Sequence, residues 1–337
     1  MLSFPVPAYP SKAGDGRSPL SVNPRADAFA RLGGAYDVRV LEPSPPAVGG
    51  APWLAEDPTA PGQAAGDRLL VSPVTTGDLL WEDLAKRDPA LADWCAERWL
   101  GPFRRLERVP PRFTSTRRSL HALARRVIGP LRDRAHDVNG LRWTRGGFGT
   151  PFFGADAQVR VEHGVLVVQS RFRERRAAVA TLAEAAELIG FDLDGHEAEL
   201  DAEPLLIDSR AATFLGDFLG FATNVLEQLR ADVPPDYEPS RVELWPDTFD
   251  LVLEVGMEHS GRRAAFGASL GDLAHPEPFL FVMPLDVRPS GDLWQATSFA
   301  GAELSFAELC AAGDQRACAL EFVRSRVEAL HHPLLPR

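Results

Sequence analysis

Near residue 140 the spacing of apolar residues changes from a helical period to an alternating one. From Thr116 to Leu131 apolar residues recur at intervals of three and four, which predicts an amphipathic helix with Pro130 at a kink or end. The residues that follow alternate and predict three strands, at 141–148, 157–162 and 165–170. A tight turn at His163-Gly164 joins the last two, so they pair antiparallel.

The chain then repeats this order of elements. The capping box Thr181–Glu184 predicts a helix that Gly190 ends, and Asp208 or Ser209 caps a longer helix. Four further strands are predicted, at 241–244, 249–255, 263–266 and 278–283. The capping box Ser305–Glu308 opens the C-terminal helices. We therefore predict an α+β fold of antiparallel sheets with flanking helices, in which the order helix, strands, helix occurs twice, with a pseudo-twofold axis as one option.

Composition divides the chain into three segments. Residues 1–66 are rich in proline and glycine but carry scattered aromatic residues, which predicts an extended arm packed on the main body. Residues 67–135 form a helical segment. Residues 136–337 form the α+β body, in two halves at about 136–200 and 205–330.

The helical segment contains a basic stretch within an acidic chain. From Arg104 to Arg134 there are ten arginines against Glu107 and Asp133. Arginine forks suit carboxylates and phosphates, so the stretch either complements acidic surface of this molecule or a partner subunit, or lines a cleft for an anionic ligand. The net charge of −11 argues against nucleic acid and anionic membranes as partners of the whole chain.

The remaining composition narrows the class of protein. Three cysteines without CxxC spacing predict neither a disulfide framework nor a zinc site, and we expect no metal and no cofactor. Because no signal peptide is recognised and no apolar run approaches about eighteen residues, we expect a cytoplasmic protein without a membrane segment. Only Lys12 and Lys86 are lysines, a bias typical of a high-GC bacterial genome. A homodimer is left open.

The stretch from Thr144 to Gly154 contains four glycines and Arg145, the composition of a phosphate-binding loop. Such a loop needs a following helix, because backbone amides and the helix dipole bind the anion together. Here Gly147-x-Gly149 leads through Phe152 into another strand. The glycines therefore predict a bend where neighbouring backbone approaches closely. The alternative is a ligand-facing sheet edge with Arg145 as an anion contact.

Residues 267–271 match GxSxG, the pattern of a nucleophile elbow. That pattern needs a helix after the serine and a spaced Asp and His, whereas Ser269 leads into a loop with Asp272 and His275. A turn between strands is our main interpretation. A hydrolase that uses Ser269, Asp272 and His275 as catalytic residues is an alternative.

Aromatic residues indicate where a small molecule could bind. Trp143 and Trp245 occupy early strand positions in the two halves, and Trp294 is predicted to begin a late strand. If the sheets face one another or continue across the pseudo-twofold axis, the first two tryptophans line a pocket together with Phe249. The ligand-binding residues of this hypothesis are Trp143, Arg145, Phe152, Trp245, Asp250 and His275.

Four phrases, TPFFGADAQVRVEHGVLVV, ELWPDTFDLVLEVG, AFGASLGDLAHPEPFLFV and GAELSFAEL, make the chain resemble the domain-of-unknown-function family numbered 5996. In that family a tryptophan-aromatic-FDLA strand is likewise followed by a short Gly-Asp loop and an aromatic strand. The resemblance covers about residues 115–330. It implies no activity.

Two functions from different classes are consistent with the sequence. The first is a small-molecule site between sheet and helices, with an anionic ligand as one option. The second is a non-catalytic interaction or scaffold protein that uses the arm and the arginine-rich stretch to bind a partner or itself. Whether the chain is an enzyme is left open, since no motif defines an activity.

Overall fold

A computed structural model describes residues 37–40, 105–136, 139–144, 146–150, 158–170, 173–190, 204–286 and 289–331. Apart from strand β1, Asp37–Val40, the predicted arm lies outside the described residues. Residues 67–104 of the predicted helical segment also lie outside them, as do Arg145 and Phe152.

The described part of the chain contains six α-helices. They are α1 Phe113–Leu123, α2 Gly129–His136, α3 Leu182–Ile189, α4 Ser209–Asp232, α5 Phe306–Ala311 and α6 Gln315–His331. A π-helical turn, Ala124–Ile128, joins α1 to α2. The helix therefore continues past Pro130, because the wider turn before it accommodates a residue that has no N–H for the regular helical bond.

Three predicted helix starts are confirmed by side-chain hydrogen bonds, whereas the helix predicted from Thr116 begins at Phe113. The Thr181 side chain accepts a hydrogen bond from the backbone N–H of Glu184 at the start of α3. Asp208, rather than Ser209, caps α4. Ser305 and Glu308 form the reciprocal capping box of α5.

The described strands form two antiparallel sheets, so the predicted α+β class is confirmed. The first sheet has the order β1-β6-β5-β4-β3-β2, with β2 Arg142–Thr144, β3 Gly147–Gly149, β4 Gln158–Glu162, β5 Val165–Ser170 and β6 Arg173–Ala177. The second has the order β11-β10-β9-β8-β7, with β7 Glu243–Trp245, β8 Asp250–Val255, β9 Ala264–Ser269, β10 Phe279–Pro284 and β11 Ala302–Ser305. The pseudo-twofold relation between the halves stays a prediction.

Some strand boundaries differ from the prediction. The single strand predicted at 141–148 is a hairpin of β2 and β3, because Gly146 adopts a φ of 81° and turns the chain. The strand β6 is rich in arginine and has no apolar alternation, so its sequence gave no strand signal. Trp294 lies in an irregular segment, and the edge strand is β11 instead.

The two sheets meet at one antiparallel bridge between Leu141 and Leu244. The backbone N–H of each residue donates to the carbonyl oxygen of the other, at 2.9 and 2.8 Å. Both side chains are buried in the core on the helical side. Because side chains alternate along a strand, Trp143 points to the helical side and Trp245 to the opposite side. We call the side of the second sheet that carries Trp245 its outer face.

The glycines of the β2–β3 hairpin lie where helix α4 approaches the sheet. A Cβ atom added at Gly216 of α4 would lie 2.5 Å from the carbonyl carbon of Gly146 and 2.6 Å from the nitrogen of Gly147. A Cβ atom added at Gly147 would collide with the carbonyl oxygen of Val161. This geometry agrees with the predicted bend and close backbone approach.

Candidate functional site

One cross-strand row on the outer face carries three of the candidate residues that the sequence singles out, Trp245, Asp250 and Ser269. Trp245 pairs with Asp250, Asp250 with Ser269, Ser269 with Phe279, and Phe279 with Ser305. Directly opposed residues on neighbouring strands project from the same face, so strand register alone brings these five side chains into line.

In the neighbouring cross-strand row, the ring of Phe281 lies flat on the outer face. Phe281 lies opposite Gly267, and its ring covers that glycine so closely that an added Cβ atom would collide with it. The Phe281 ring packs edge-on against Phe299, with centroids 6.2 Å apart. The residue at position 267 therefore has to be glycine for the phenyl ring to lie flat on the sheet.

The loop after β9 has a well-defined backbone conformation. The Oδ1 atom of Asp272 accepts hydrogen bonds from the backbone N–H groups of Ala274 and His275, both at 2.7 Å. The backbone N–H of Asp272 donates to the carbonyl oxygen of His275 at 2.8 Å. Gly271 enters this loop with a φ of 96°, which favours glycine. His275 is thus presented from a backbone that its own loop holds in place.

Arg117 of α1 holds the same loop from outside. Its Nη1 donates to the carbonyl oxygens of Leu270, at 3.2 Å, and His275, at 3.5 Å. Its Nη2 donates to the carbonyl oxygen of Asp272 at 3.2 Å. This arginine of the basic stretch therefore binds backbone carbonyl oxygens of its own molecule, and the acidic surface or anionic ligand expected for the stretch stays a prediction.

The His275 ring has acidic or hydroxyl groups at both nitrogens. Its Nδ1 lies 3.1 Å from Oδ1 of Asp272. Its Nε2 lies 3.4 Å from Oε2 of Glu303 and 3.5 Å from Oγ of Ser298. The ring packs on Phe279 with centroids 4.4 Å apart. Such a ring can exchange a proton at Nε2 while Asp272 orients it at Nδ1.

The charge of Asp272 is stabilised by its own loop. Burial on its own raises the pKa of this carboxyl, but the hydrogen bonds from the backbone of His275 and Ala274 and the contact with the His275 ring outweigh burial. The pKa of Asp272 therefore lies below its usual value. An ionised Asp272 favours the His275 tautomer that carries its proton on Nδ1.

The pKa of Asp250 is shifted in the opposite direction to that of Asp272. Burial raises the pKa of Asp250 to about 6, although hydrogen bonds with Ser269 and Thr248 act against this. The negative charge of Asp272 raises the pKa further. The site therefore contains two carboxyl groups whose environments move their pKa values apart, an arrangement that separates a proton donor from a charged group.

The Ser269 side chain contacts Asp250 and not His275. Ser269 is buried, it hydrogen-bonds Asp250, and its Oγ accepts a hydrogen bond from the backbone N–H of Gly271 at 3.2 Å. The hydroxyl near the imidazole belongs to Ser298. The strand continues into a loop and not a helix, so the local structure that a GxSxG nucleophile requires is not formed.

A cavity of about 470 Å³ opens beside His275. Phe279 and Phe306 form part of its apolar wall, and Glu277 and Glu303 form acidic parts. The volume suits a compact ligand, and the mixed wall suits one with an apolar part and a hydrogen-bonding part.

The pocket expected between Trp143 and Trp245 is not formed. Trp143 lies on the helical side, where its Nε1–H donates to the carbonyl oxygen of Gly216 at 3.1 Å. Trp245 is 40% exposed on the outer face, and Phe249 is buried against Phe148. Neither tryptophan lines the cavity beside His275. The predicted roles of Arg145 and Phe152 concern residues outside the described ranges.

Two residues at His275 were not expected from the sequence. Glu303 lies on β11, and the alternation of that short strand would have placed Glu303 and Ser305 on one face if the strand had been predicted. Ser298 lies in an irregular segment before β11, where no periodicity indicates its position. Only the path of the chain over the outer face brings Ser298 to the imidazole.

Comparison of the chain with family models, with curated proteins and with solved structures finds no match. The resemblance to the family numbered 5996 therefore stays an expectation. Among the residues that the structure describes, no three His, Cys, Asp or Glu side chains are placed to hold a metal ion. No helix in the same part of the chain combines the length and apolar character that crossing a bilayer requires.

Proposed function

We propose that this protein binds a small molecule in the cavity beside His275. The observation that carries the proposal is the imidazole itself, which is set between Asp272 and Glu303, rests on Phe279 and forms part of the wall of a 470 Å³ cavity. An oriented ring at the wall of a partly apolar cavity is a typical arrangement for ligand recognition.

The wall of the cavity favours a neutral or cationic ligand over an anionic one. The carboxyl groups at its surface, Glu277 and Glu303, repel an anion and accept hydrogen bonds from N–H or O–H groups. Arg117 uses its donors on backbone carbonyls of the loop. We therefore propose a compact alcohol, amine or ester with an apolar part that packs against Phe279 and Phe306.

A fragment screen tests this proposal directly. Saturation-transfer NMR with small alcohols, amines and neutral esters should give hits that Glu303→Gln weakens and that Glu328→Gln, an exposed position on α6, leaves unchanged. Hits whose affinity is the same in wild type and Glu303→Gln, or the complete absence of hits in all three chemical classes, would contradict a ligand site at this cavity.

A non-catalytic interaction protein is the second candidate, and exposed apolar side chains favour it. Leu273, at the tip of the loop that carries His275, is 90% exposed, and Leu285 is 47% exposed. Apolar side chains at such positions suit contact with a partner or a second copy of the chain. Light scattering of the wild type and of Leu273→Ser tests the homodimer, which predicts a twofold mass that the substitution reduces.

We also propose that the protein is located in a reducing compartment. Cys310 and Cys318 are free thiols, and burial together with nearby Glu277 raises the pKa of Cys310. Burial and Glu308 raise the pKa of Cys318. Free thiols fit a reducing compartment, so a bacterial cytoplasm is proposed. Thiol titration of protein purified without reductant should report reduced cysteines.

A further inference from the structure

We propose that Ser298, His275 and Asp272 form a catalytic triad that hydrolyses small esters bound in the cavity. The proposal rests on the proposed ligand site and adds a chemical step to it. In this triad Ser298 is the nucleophile, His275 is the general base and acid, and Asp272 positions the ring.

The His275 ring is held in one orientation by its own loop. Asp272 Oδ1 accepts hydrogen bonds from two backbone N–H groups of its own loop and lies 3.1 Å from Nδ1 of His275. Arg117 donates to three carbonyl oxygens of the same loop. A base needs a third group that holds its tautomer, and here that group is itself held by the backbone. The lone pair of Nε2 is thereby directed away from Asp272.

Ser298 is placed to act as the nucleophile. Ser298 Oγ lies 3.5 Å from Nε2 of His275, and catalytic contacts of this length commonly shorten when a substrate binds. Ser298 is exposed to solvent, whereas Ser269 is buried and bonded to Asp250. Of these two serines, only Ser298 contacts the base, and it does so from an exposed position next to the part of the cavity wall that His275 forms.

Two carboxylates stabilise the positive charge that develops on the His275 ring. When Nε2 takes the proton of Ser298, the imidazole becomes a cation. Glu303 Oε2 lies 3.4 Å from Nε2, and Asp272 lies at Nδ1. Two carboxylates on opposite sides of the ring stabilise that cation in the transition state more than they stabilise the neutral ring, which lowers the barrier.

The reaction is an acyl transfer to water. Ser298 Oγ forms a bond to the carbonyl carbon of the ester while its proton passes to Nε2. The carbon–oxygen bond to the leaving alcohol then breaks, and the alcohol takes the proton from Nε2. Water attacks the acyl carbon of the Ser298 ester and gives its proton to Nε2. Ser298 leaves with that proton, so the products are a carboxylic acid and an alcohol.

The cavity indicates the class of ester. A volume of about 470 Å³ beside Phe279 and Phe306 suits a short apolar acyl group. Glu277 and Glu303 disfavour esters that carry an additional carboxylate. The same charges repel the carboxylate product, which favours its release. We therefore expect short-chain esters of neutral or cationic alcohols to react best.

The test uses a fluorophosphonate probe, which reacts with an activated serine and leaves a covalent adduct. Intact mass spectrometry of the full-length wild type should show one adduct, and peptide mapping should place it on Ser298. Ser298→Ala should abolish the adduct, and Ser290→Ala, an exposed serine of the same segment, should retain it. An adduct on another serine, or none at all in the folded wild type, would overturn the triad. Mapping on the wild type gives this answer even if a variant fails to fold.

Hydrolysis of 4-nitrophenyl butyrate gives a second readout. Ser298→Ala and His275→Gln should each lower kcat by at least about 100-fold, the range of a lost general base or nucleophile. Asp272→Asn should lower kcat with KM unchanged, because Asp272 acts through the ring. Hydrolysis that survives Ser298→Ala at the wild-type rate, or an Asp272→Asn defect that tracks only loss of folded protein in circular dichroism, would contradict the assigned roles.

The two proposals fail in distinguishable ways. If fragments bind and Glu303→Gln weakens them while no fluorophosphonate adduct forms on Ser298, the triad is wrong and the ligand site stands. If Ser298 is labelled but cavity fragments do not protect it, the triad stands and the assignment of the cavity is wrong. If there is neither binding nor labelling, both are wrong.

Discussion

The guanidinium of Arg117 donates a hydrogen bond to the backbone carbonyl of Asp272 at 3.2 Å, and so couples helix α1 to the loop that presents His275. These two residues are 155 positions apart in sequence. The imidazole is therefore positioned both by hydrogen bonds within its own loop and by a long-range contact between a helix and that loop.

Replacing Arg117 should loosen this loop and destabilise the fold. Hydrogen bonds to a charged group each contribute about 1.5–3 kcal/mol, but the three contacts of the buried Arg117 guanidinium are long, at 3.2–3.5 Å, so we expect Arg117→Ala to cost roughly 2–4 kcal/mol in total. Urea unfolding measures this cost. The exposed neighbour Arg118, changed to alanine, should cost less than about 0.5 kcal/mol. Equal costs at the two positions would show that the carbonyl contacts contribute nothing.

Gly271→Ala should be more destabilising than a glycine substitution in open space. Gly271 has a φ of 96°, and an added Cβ atom would lie 2.5 Å from the carbonyl oxygen of His275. Gly261 has a φ of 63° and nothing within 4 Å of an added Cβ atom. The left-handed backbone alone costs a residue with a side chain about 1–2 kcal/mol, the loss expected for Gly261→Ala. Gly271→Ala should cost about 3 kcal/mol or more, because the loop must also move.

Thermal or urea unfolding of both glycine variants provides the comparison. A Gly271→Ala variant that unfolds at the same midpoint as Gly261→Ala would mean that the loop is not held as described. Loss of fluorophosphonate labelling in Gly271→Ala alone would connect the loop conformation to the reactivity of the site.

The raised pKa of Asp250 should make stability depend on pH. Because the folded-state pKa of Asp250, about 6, lies above the usual value near 3.8, the folded protein holds a proton between these pH values that the unfolded chain has lost. Stability from this group is therefore unaffected below about pH 4, falls as pH rises to about 6, and stays lower above it. The loss amounts to about 3 kcal/mol at most.

Asp250→Asn isolates that effect. The amide retains hydrogen-bonding groups for Ser269 and Thr248 but does not ionise, so the difference in unfolding free energy between variant and wild type should shift in favour of the variant by roughly 2–3 kcal/mol from pH 4 to pH 7. Urea titrations at several pH values measure it. The exposed Asp292, changed to Asn, serves as the control. A pH-independent difference for Asp250→Asn would contradict the raised pKa.

Gly216→Ala should destabilise the protein although it improves helix propensity. In an isolated helix the change stabilises by about 1 kcal/mol. Here the added Cβ atom would lie 2.6 Å from the backbone nitrogen of Gly147, so we expect a net loss of roughly 2–3 kcal/mol. At Gly220 an added Cβ atom would meet the Trp143 ring at 3.0 Å, and a side chain yields more readily than backbone. Unfolding midpoints should rank Gly216→Ala below Gly220→Ala and both below wild type.

The sequence could predict the features that depend on local patterns. Alternation in 249–255 and the continuous apolar run in 278–283 predict β8 and β10, and the capping residues Thr181 and Ser305 predict the starts of α3 and α5. These predictions succeed because periodicity and caps act over a few residues. The strand at 141–148 was predicted too long, because the turn at Gly146 lies between residues that all suit a strand.

Local sequence patterns are enough to predict the class of fold, the capped helix starts and the loop after β9 that carries Asp272 and His275. The contacts of the His275 ring with Ser298 and Glu303 depend on the tertiary structure. Strand register aligned Trp245, Asp250 and Ser269 on the outer face, while the segment before β11 brought Ser298 to the imidazole. Register and chain path depend on contacts between residues far apart in sequence, and no local period encodes them. For the same reason GxSxG drew attention to Ser269, which is buried against Asp250, and away from Ser298.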